Sequence, residues 1–182
     1  MTATPTVDQR VLYPGTARLP VAASPDLRGR SYRVEAELGA PLDGAEGVLV
    51  ACGDAQAGFT LFVRDAALVH LYRHGGRSTT TTSEPLTGEE TVLAAEVTYL
   101  GGDARVDLRA GDLVIGGGSI EHLARARVSY AGLDVGRDRG MPVGDYDAPF
   151  PFTGSLRRIV IRNGLAEDVD AAGSLSVELA TG

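Results

Sequence analysis

The sequence predicts an all-β fold, a sandwich of two antiparallel sheets. Apolar residues recur mostly with a period of two, and the alternating stretches are short, about ten residues apart, with turn residues between them. Glycine points the same way. With 24 glycines and nine prolines in 182 residues, the chain is broken into pieces too short for a helical bundle. Hydrophobic residues make up 43%, enough to bury a core, and the length suits one domain spanning residues 1–182.

The elements follow in chain order. In Ser31 to Leu38, Tyr32, Val34, Ala36 and Leu38 alternate with Arg33, Glu35 and Glu37, the pattern of a strand wet on one face. Gly47 to Cys52 is a continuous apolar run, as expected of a strand covered on both faces. Phe59 to Arg64 and Ala67 to Arg73 flank Asp65-Ala66, a gap that suits a hairpin. Thr91 to Leu100, Arg105 to Arg109 and Leu113 to Ile115 come next, and Gly116-Gly117-Gly118 reads as a turn. Alternation returns in Ile120 to Tyr130 and in Leu156 to Arg162. Val135 to Thr153 is rich in Gly, Pro and Asp and reads as a long functional loop. Residues 163–182 form a C-terminal extension: Asn163 to Gly173 is acidic and alanine-rich, and Ser174 to Ala180 alternates as one more strand.

Composition excludes several classes of function. A net charge of −7 and a pI near 4.9 disfavour nucleic acid and anionic membranes as partners. All seventeen basic residues are arginine, so lysine Schiff-base chemistry and a Walker phosphate loop are absent. The single cysteine, Cys52, leaves no intramolecular disulfide and no cysteine-rich zinc site; it sits in an apolar run and reads as buried and inert. No apolar run reaches the ~18 residues of a membrane helix. The first ten residues lack a basic and apolar leader, so the expected location is cytoplasmic.

Several separated motifs occur in one order. They are Tyr13-Pro14-Gly15, Arg30-Ser31-Tyr32, Ala45 to Ala51, Leu133 to Asp138, Gly140-Met141-Pro142-Val143, Asp145-Tyr146 and Pro149 to Gly154. This series resembles the C-terminal domain of bacterial, actinobacterial-type arylsulfatases over residues 11–162. The resemblance implies a concanavalin A-like jelly roll. It does not bring the sulfatase site, which lies in a separate domain on a Cys or Ser followed by x-Pro-x-Arg. Here Cys52 is followed by Gly53-Asp54-Ala55-Gln56, so sulfate-ester hydrolysis is not expected.

The chemical candidates are few. On a strand, His70 and His74 lie about 13 Å apart, too far to share one zinc. Leu68, His70, Tyr72 and His74 nevertheless project to one face, where His70, Tyr72 and His74 can hydrogen-bond a ligand on a concave sheet; the plainer reading is strand residues satisfied by neighbours. Glu96 shares a face with Val92, Ala94 and Thr98. Facing inward it would be a general base with a raised pKa; we read it as facing outward, an ordinary solvated charge. In the long loop, Asp134, Asp138 and Asp145 are candidate calcium ligands. An Asp–Arg network that pins the loop gives the same pattern, and we read it that way. Ser119 lacks the final glycine of a nucleophile elbow, and the glycine triplet lacks the Rossmann spacing.

Two functional readings follow. In the first, a stand-alone sandwich binds a small molecule or glycan on its concave face, without sulfatase activity. The 5% aromatic share and the absence of tryptophan weigh against a strong sugar-stacking platform. In the second, an apolar cavity in the sandwich holds a flexible substrate near its reactive conformation, as in a cofactor-independent cyclase or isomerase of a bacterial natural-product pathway. His70, Tyr72 and Glu96 would then supply acid–base help. No cofactor is expected beyond Ca²⁺, and a homodimer is a possible assembly. A cavity of about 300 Å³ or more with those groups pointing inward would favour the enzyme.

Overall fold

The structure is a computed structural model that describes residues 8–15, 17–125 and 131–164. The strands in chain order are β1 (Gln9–Leu12), β2 (Tyr32–Leu38), β3 (Gly47–Gly53), β4 (Ala57–Arg64), β5 (Ala67–His74) and β6 (Arg77–Thr82). They continue with β7 (Val92–Tyr99), β8 (Ala104–Ala110), β9 (Leu113–Ile120), β10 (Leu133–Val135) and β11 (Leu156–Asn163). A single 3₁₀ turn, Val21–Ala23, precedes β2. One sheet has six strands in the order β1-β11-β2-β7-β8-β9, and the other has five in the order β10-β3-β4-β5-β6. Every strand pairing is antiparallel. The expected two-sheet sandwich is what forms.

Alternation places the core between the sheets. Tyr32, Val34, Ala36 and Leu38 of β2 face Phe59, Leu61, Val63 and Leu68 of the smaller sheet in one buried cluster. The opposite face of β2 carries Arg33, Glu35 and Glu37, as the charge pattern requires. On that outer face Arg33 reaches Glu35 at 2.8 Å, and Arg158 reaches Glu37 at 2.8 Å. The smaller sheet differs, because its outer face is covered too. There Val48, Ala51, Phe62, Val69 and Leu71 pack beneath Val143, Tyr146 and Phe150 of the long loop. This second layer is why β3 has no polar face.

The β4–β5 hairpin turns on Asp65 and Ala66, with φ of 50° and 54°. Both lie in the left-handed region of a type I′ turn, whose twist matches the strands it joins.

The structure corrects two readings of the sequence and adds three strands. Gly116-Gly117-Gly118 is not a turn but the middle of β9. A Cβ on Gly116 would lie 2.8 Å from Ser83 Cα, and one on Gly118 would lie 2.6 Å from Thr81 Oγ1. Glycine there lets the end of β6 close against β9 from the other sheet. Gly116→Ala is therefore expected to cost about 1–3 kcal/mol. The readout is a lower urea midpoint at unchanged slope; an unmoved midpoint would mean the two edges do not need that clearance. Second, β9 ends at Ile120, and residues 121–125 form no strand; 126–130 lie outside the described residues. The added strands, β1, β6 and β10, carry no apolar alternation long enough to announce them. β6 reads Arg-Ser-Thr-Thr-Thr-Thr, and β10 has only three residues. The expected strand at Ser174 to Ala180, and most of Asn163 to Gly173, fall outside the described residues.

Candidate functional site

At one end of the sandwich the two sheets part around a cleft of about 130 Å³. Its walls are the segment from Ser24 to Arg28, the β3–β4 turn, the end of β5 and the stretch Leu123–Ala124. Local chemistry builds each wall. Gly53 and Gly58 let the β3–β4 turn cross itself: a Cβ on either would lie 2.1 Å from a backbone oxygen of the facing strand. Asp54 Oδ1 closes the turn by accepting the Gln56 N–H at 2.8 Å. Arg28 forks onto Asp26 through Nε at 2.7 Å and Nη2 at 2.9 Å. That pairing holds the Asp26 carboxyl below its usual range. Asn163 Nδ2 anchors the same segment by donating to Asp26 O at 2.9 Å.

Leu27, Phe59 and Leu123 make the cleft mainly apolar, and Tyr32, Tyr72, His74 and Cys52 add polar atoms. The Tyr72 hydroxyl accepts the Ala124 N–H at 2.8 Å, and Gly29 N–H donates to Ala124 O at 3.0 Å. The walls are thus tied to one another. Burial pushes both the Tyr32 and the Tyr72 phenols up, so each keeps its proton at neutral pH.

The nominated side chains do not form one constellation. His70, Tyr72 and His74 share the inner face of β5, as alternation requires, but only Tyr72 and His74 reach the cleft. His70 is sealed in the core at 1% exposure, stacked against Phe59 with centroids 6.2 Å apart. Neither of its ring nitrogens has a hydrogen-bond partner, and burial lowers its pKa to about 4. It cannot touch a ligand in this fold, so its nomination as a catalytic or binding group is corrected. Glu96 lies on the outer face of the other sheet, held by Arg109 at 2.9 Å and Arg33 at 3.5 Å. It is far from Tyr72 in the architecture, on the wrong side of its own sheet to act as a base there.

The three loop aspartates also point to separate partners. Asp134 accepts the backbone N–H and Nε of Arg139, each at 2.8 Å. Asp138 accepts the Val143 N–H at 2.9 Å and the Tyr146 O–H at 2.8 Å. Asp145 takes Arg73 at 2.7 Å. Among the described residues no three His, Cys, Asp or Glu side chains are placed to hold a metal together. Each of these carboxylates is bonded within the long loop or to the strand beside it.

No protein-family model matches the chain, and no curated protein matches it. Solved structures do. The Ruminococcus gnavus IT-sialidase CBM40, bound to α2,3-sialyllactose, superposes with a TM-score of 0.54 at 14% identity, over 91% of this chain and 96% of that one. The fold is a jelly roll. Domains LG4-5 of the mouse laminin α1 chain share it, with a TM-score of 0.51 at 13% identity over 87% of this chain. This chain spans 42% of that laminin chain. Neither structure is an arylsulfatase tail, so the comparisons carry the jelly roll that the sequence resemblance implied and not the family itself. Among the described residues, the jelly roll has no helix long and apolar enough to cross a membrane.

Sequence reading missed most of the cleft. Tyr32 opens a clean alternating strand and belongs to the core, yet it also lines the cleft. Asp26 and Arg28 sit in a stretch with no periodicity. The fork between them is an i,i+2 pairing that only the turn geometry makes.

Proposed function

We propose that this chain is a non-catalytic binding module that seats a small molecule, or one unit of a glycan, in the end cleft of its jelly roll. The cleft carries the reading: an apolar concavity with a few polar groups is the usual form of a ligand site. The seat differs from the open sheet face expected from sequence. One outer face is roofed by the long loop, and the other is occupied by ion pairs such as Arg33–Glu35 and Arg109–Glu96. The R. gnavus CBM40 holds a sialylated oligosaccharide on a related fold, which favours a glycan as one ligand class. Fold alone does not fix the ligand.

The cyclase or isomerase reading is less well supported. Of the three groups that reading needs, His70, Tyr72 and Glu96, only Tyr72 lines the cleft.

A glycan microarray and a fragment library would supply ligands, with each hit mapped by amide shifts in a ¹⁵N-labelled sample. Hits are expected to perturb residues 24–28, 72–74 and 123–124. Ala124→Leu, which narrows the cleft, is expected to weaken them at least about tenfold, the effect of roughly 1.4 kcal/mol, without loss of folding. Perturbations confined to the outer face of the larger sheet would overturn the assignment.

A further inference from the structure

We infer that the end cleft takes a small anionic ligand, a carboxylate on a largely apolar body, drawn in by the arginines around its mouth. The inference rests on the cleft being the ligand site, and it favours a small molecule over a neutral sugar unit. Charge here runs against the trend of the chain. The protein carries 24 acidic and 17 basic residues. Among the described residues that line the cleft, Asp26 is nevertheless the one carboxylate, against Arg28, Arg73 and His74. Arg28 at 2.7 Å and Arg30 at 3.7 Å share it, so two guanidinium groups meet a single negative charge.

Two more arginines flank the walls. His74 and Arg77 close the β5–β6 hairpin as a directly opposed pair. Gly75 and Gly76, with φ of 57° and 78°, make the two-residue turn between them. Opposed residues of an antiparallel ladder project to one face with Cβ atoms about 5 Å apart, so Arg77 is rooted beside a residue that lines the cleft. Arg125 follows Ala124 of another wall, and its Cγ lies 3.0 Å from where a Cβ on Gly29 would sit. Both arginines are exposed, and among the described residues neither is bonded to a carboxylate.

Attraction between an anion and these cations does not need an aimed hydrogen bond. It acts across about 8 Å at physiological salt, whereas a neutral ligand gains nothing from it and a cation is repelled. The nearby carboxylates are already engaged. Asp54 Oδ1, on the β3–β4 turn, accepts the Gln56 and Ala57 N–H groups at 2.8 and 3.3 Å, and Asp145 takes Arg73 at 2.7 Å. Val21, Leu27, Phe59 and Leu123 suit the apolar body.

Benzoate, benzamide and benzylamine share a ring and a size but differ in charge. Each is titrated into the ¹⁵N-labelled full chain at pH 7.5, with the amides of residues 24–28, 72–74 and 123–124 as reporters. In about 20 mM salt benzoate is expected to bind at least about fivefold more tightly than benzamide, and benzylamine more weakly than either. In about 300 mM salt the benzoate advantage should shrink. Arg77→Gln and Arg125→Gln together are expected to bring the benzoate-to-benzamide ratio close to one. Arg157→Gln is the control for net charge. Its strand begins where Leu156 pairs with Leu38, at the opposite end of β2 from Tyr32, and the ratio is expected to stay as in wild type.

Equal binding of benzoate and benzamide, or tighter binding of benzylamine, would overturn the anion assignment and leave the cleft standing. So would a benzoate preference that survives the double substitution or is lost equally in Arg157→Gln. If no probe moves these amides, the cleft reading fails and the inference fails with it.

Discussion

Replacing His70 with leucine is expected to stabilise the protein by about 1–3 kcal/mol at pH 7 and to flatten its response to acid. A neutral imidazole carries one donor and one acceptor, and here both ring nitrogens are buried without partners. Leaving one such group unpaired costs about 1–3 kcal/mol, whereas leucine fills a similar volume and asks for nothing. The pH effect has a definite sign. The folded pKa is about 4, below the ordinary value of 6.5 that the unfolded chain retains. Between those values the unfolded chain binds the extra proton, so stability falls as pH drops from 6.5 towards 4. The full traverse is worth about 3 kcal/mol, and above it the residue adds no pH dependence. Urea unfolding of wild type and His70→Leu at pH 7.5 and pH 5.0 reads both effects. Parallel losses in the two proteins between those pH values would remove His70 as the acid-sensitive group.

Asp138→Ala is expected to cost about 3 kcal/mol and to release the long loop from the smaller sheet. The carboxylate is fully buried, and its Oδ2 alone serves both the Val143 N–H and the Tyr146 O–H. Alanine would strand the Val143 N–H in a dry layer and leave the Tyr146 O–H only the Thr60 Oγ1 as acceptor, at 3.0 Å. The aromatic packing would loosen with them: Tyr146 lies 5.2 Å from Phe62 and 5.4 Å from Phe150 between ring centroids, with the Arg64 guanidinium 5.1 Å from the Phe62 centroid. Asp138→Asn keeps a carbonyl acceptor and is expected to recover most of the loss. Asp145→Ala is the control: its side chain is 72% exposed, and the pair with Arg73 is worth little, less than ~1 kcal/mol. Urea midpoints and tryptic cleavage after Arg139 are the measurements. If Asp138→Ala and Asp145→Ala behave alike, the buried aspartate does not hold the loop.

Much of the sandwich was legible because burial between two sheets imposes a period of two. The alternation of β2, the doubly buried run of β3 and the short gap at Asp65-Ala66 each read through to the structure. The outward face of Glu96 read through as well, since Leu93, Val97 and Tyr99 claim the other side. The glycine triplet misled because a glycine run signals a turn locally, whereas here it answers to Ser83 and Thr81 on the opposite sheet. β6 stayed hidden for a related reason. Its Ser/Thr run gains its place by pairing with β5 from Val69↔Thr82 to His74↔Arg77, a relation no local pattern records.

The candidate site divides the same way. Alternation alone put His70, Tyr72 and His74 on one face, because successive side chains on a strand must point to opposite sides. It could not say how far along that face the sheets part. His70, opposite Leu61, is sealed in the core, while Tyr72 and His74 lie where the walls from Ser24 to Arg28 and at Leu123–Ala124 meet β5. The sequence by itself determined the fold class, the β4–β5 hairpin and which residues of β2 and β5 share a face, since these depend on neighbours within a few residues. The depth of each side chain, the roof over the smaller sheet and the walls of the end cleft were decided by the tertiary structure. Those depend on which distant segments come to rest against one another.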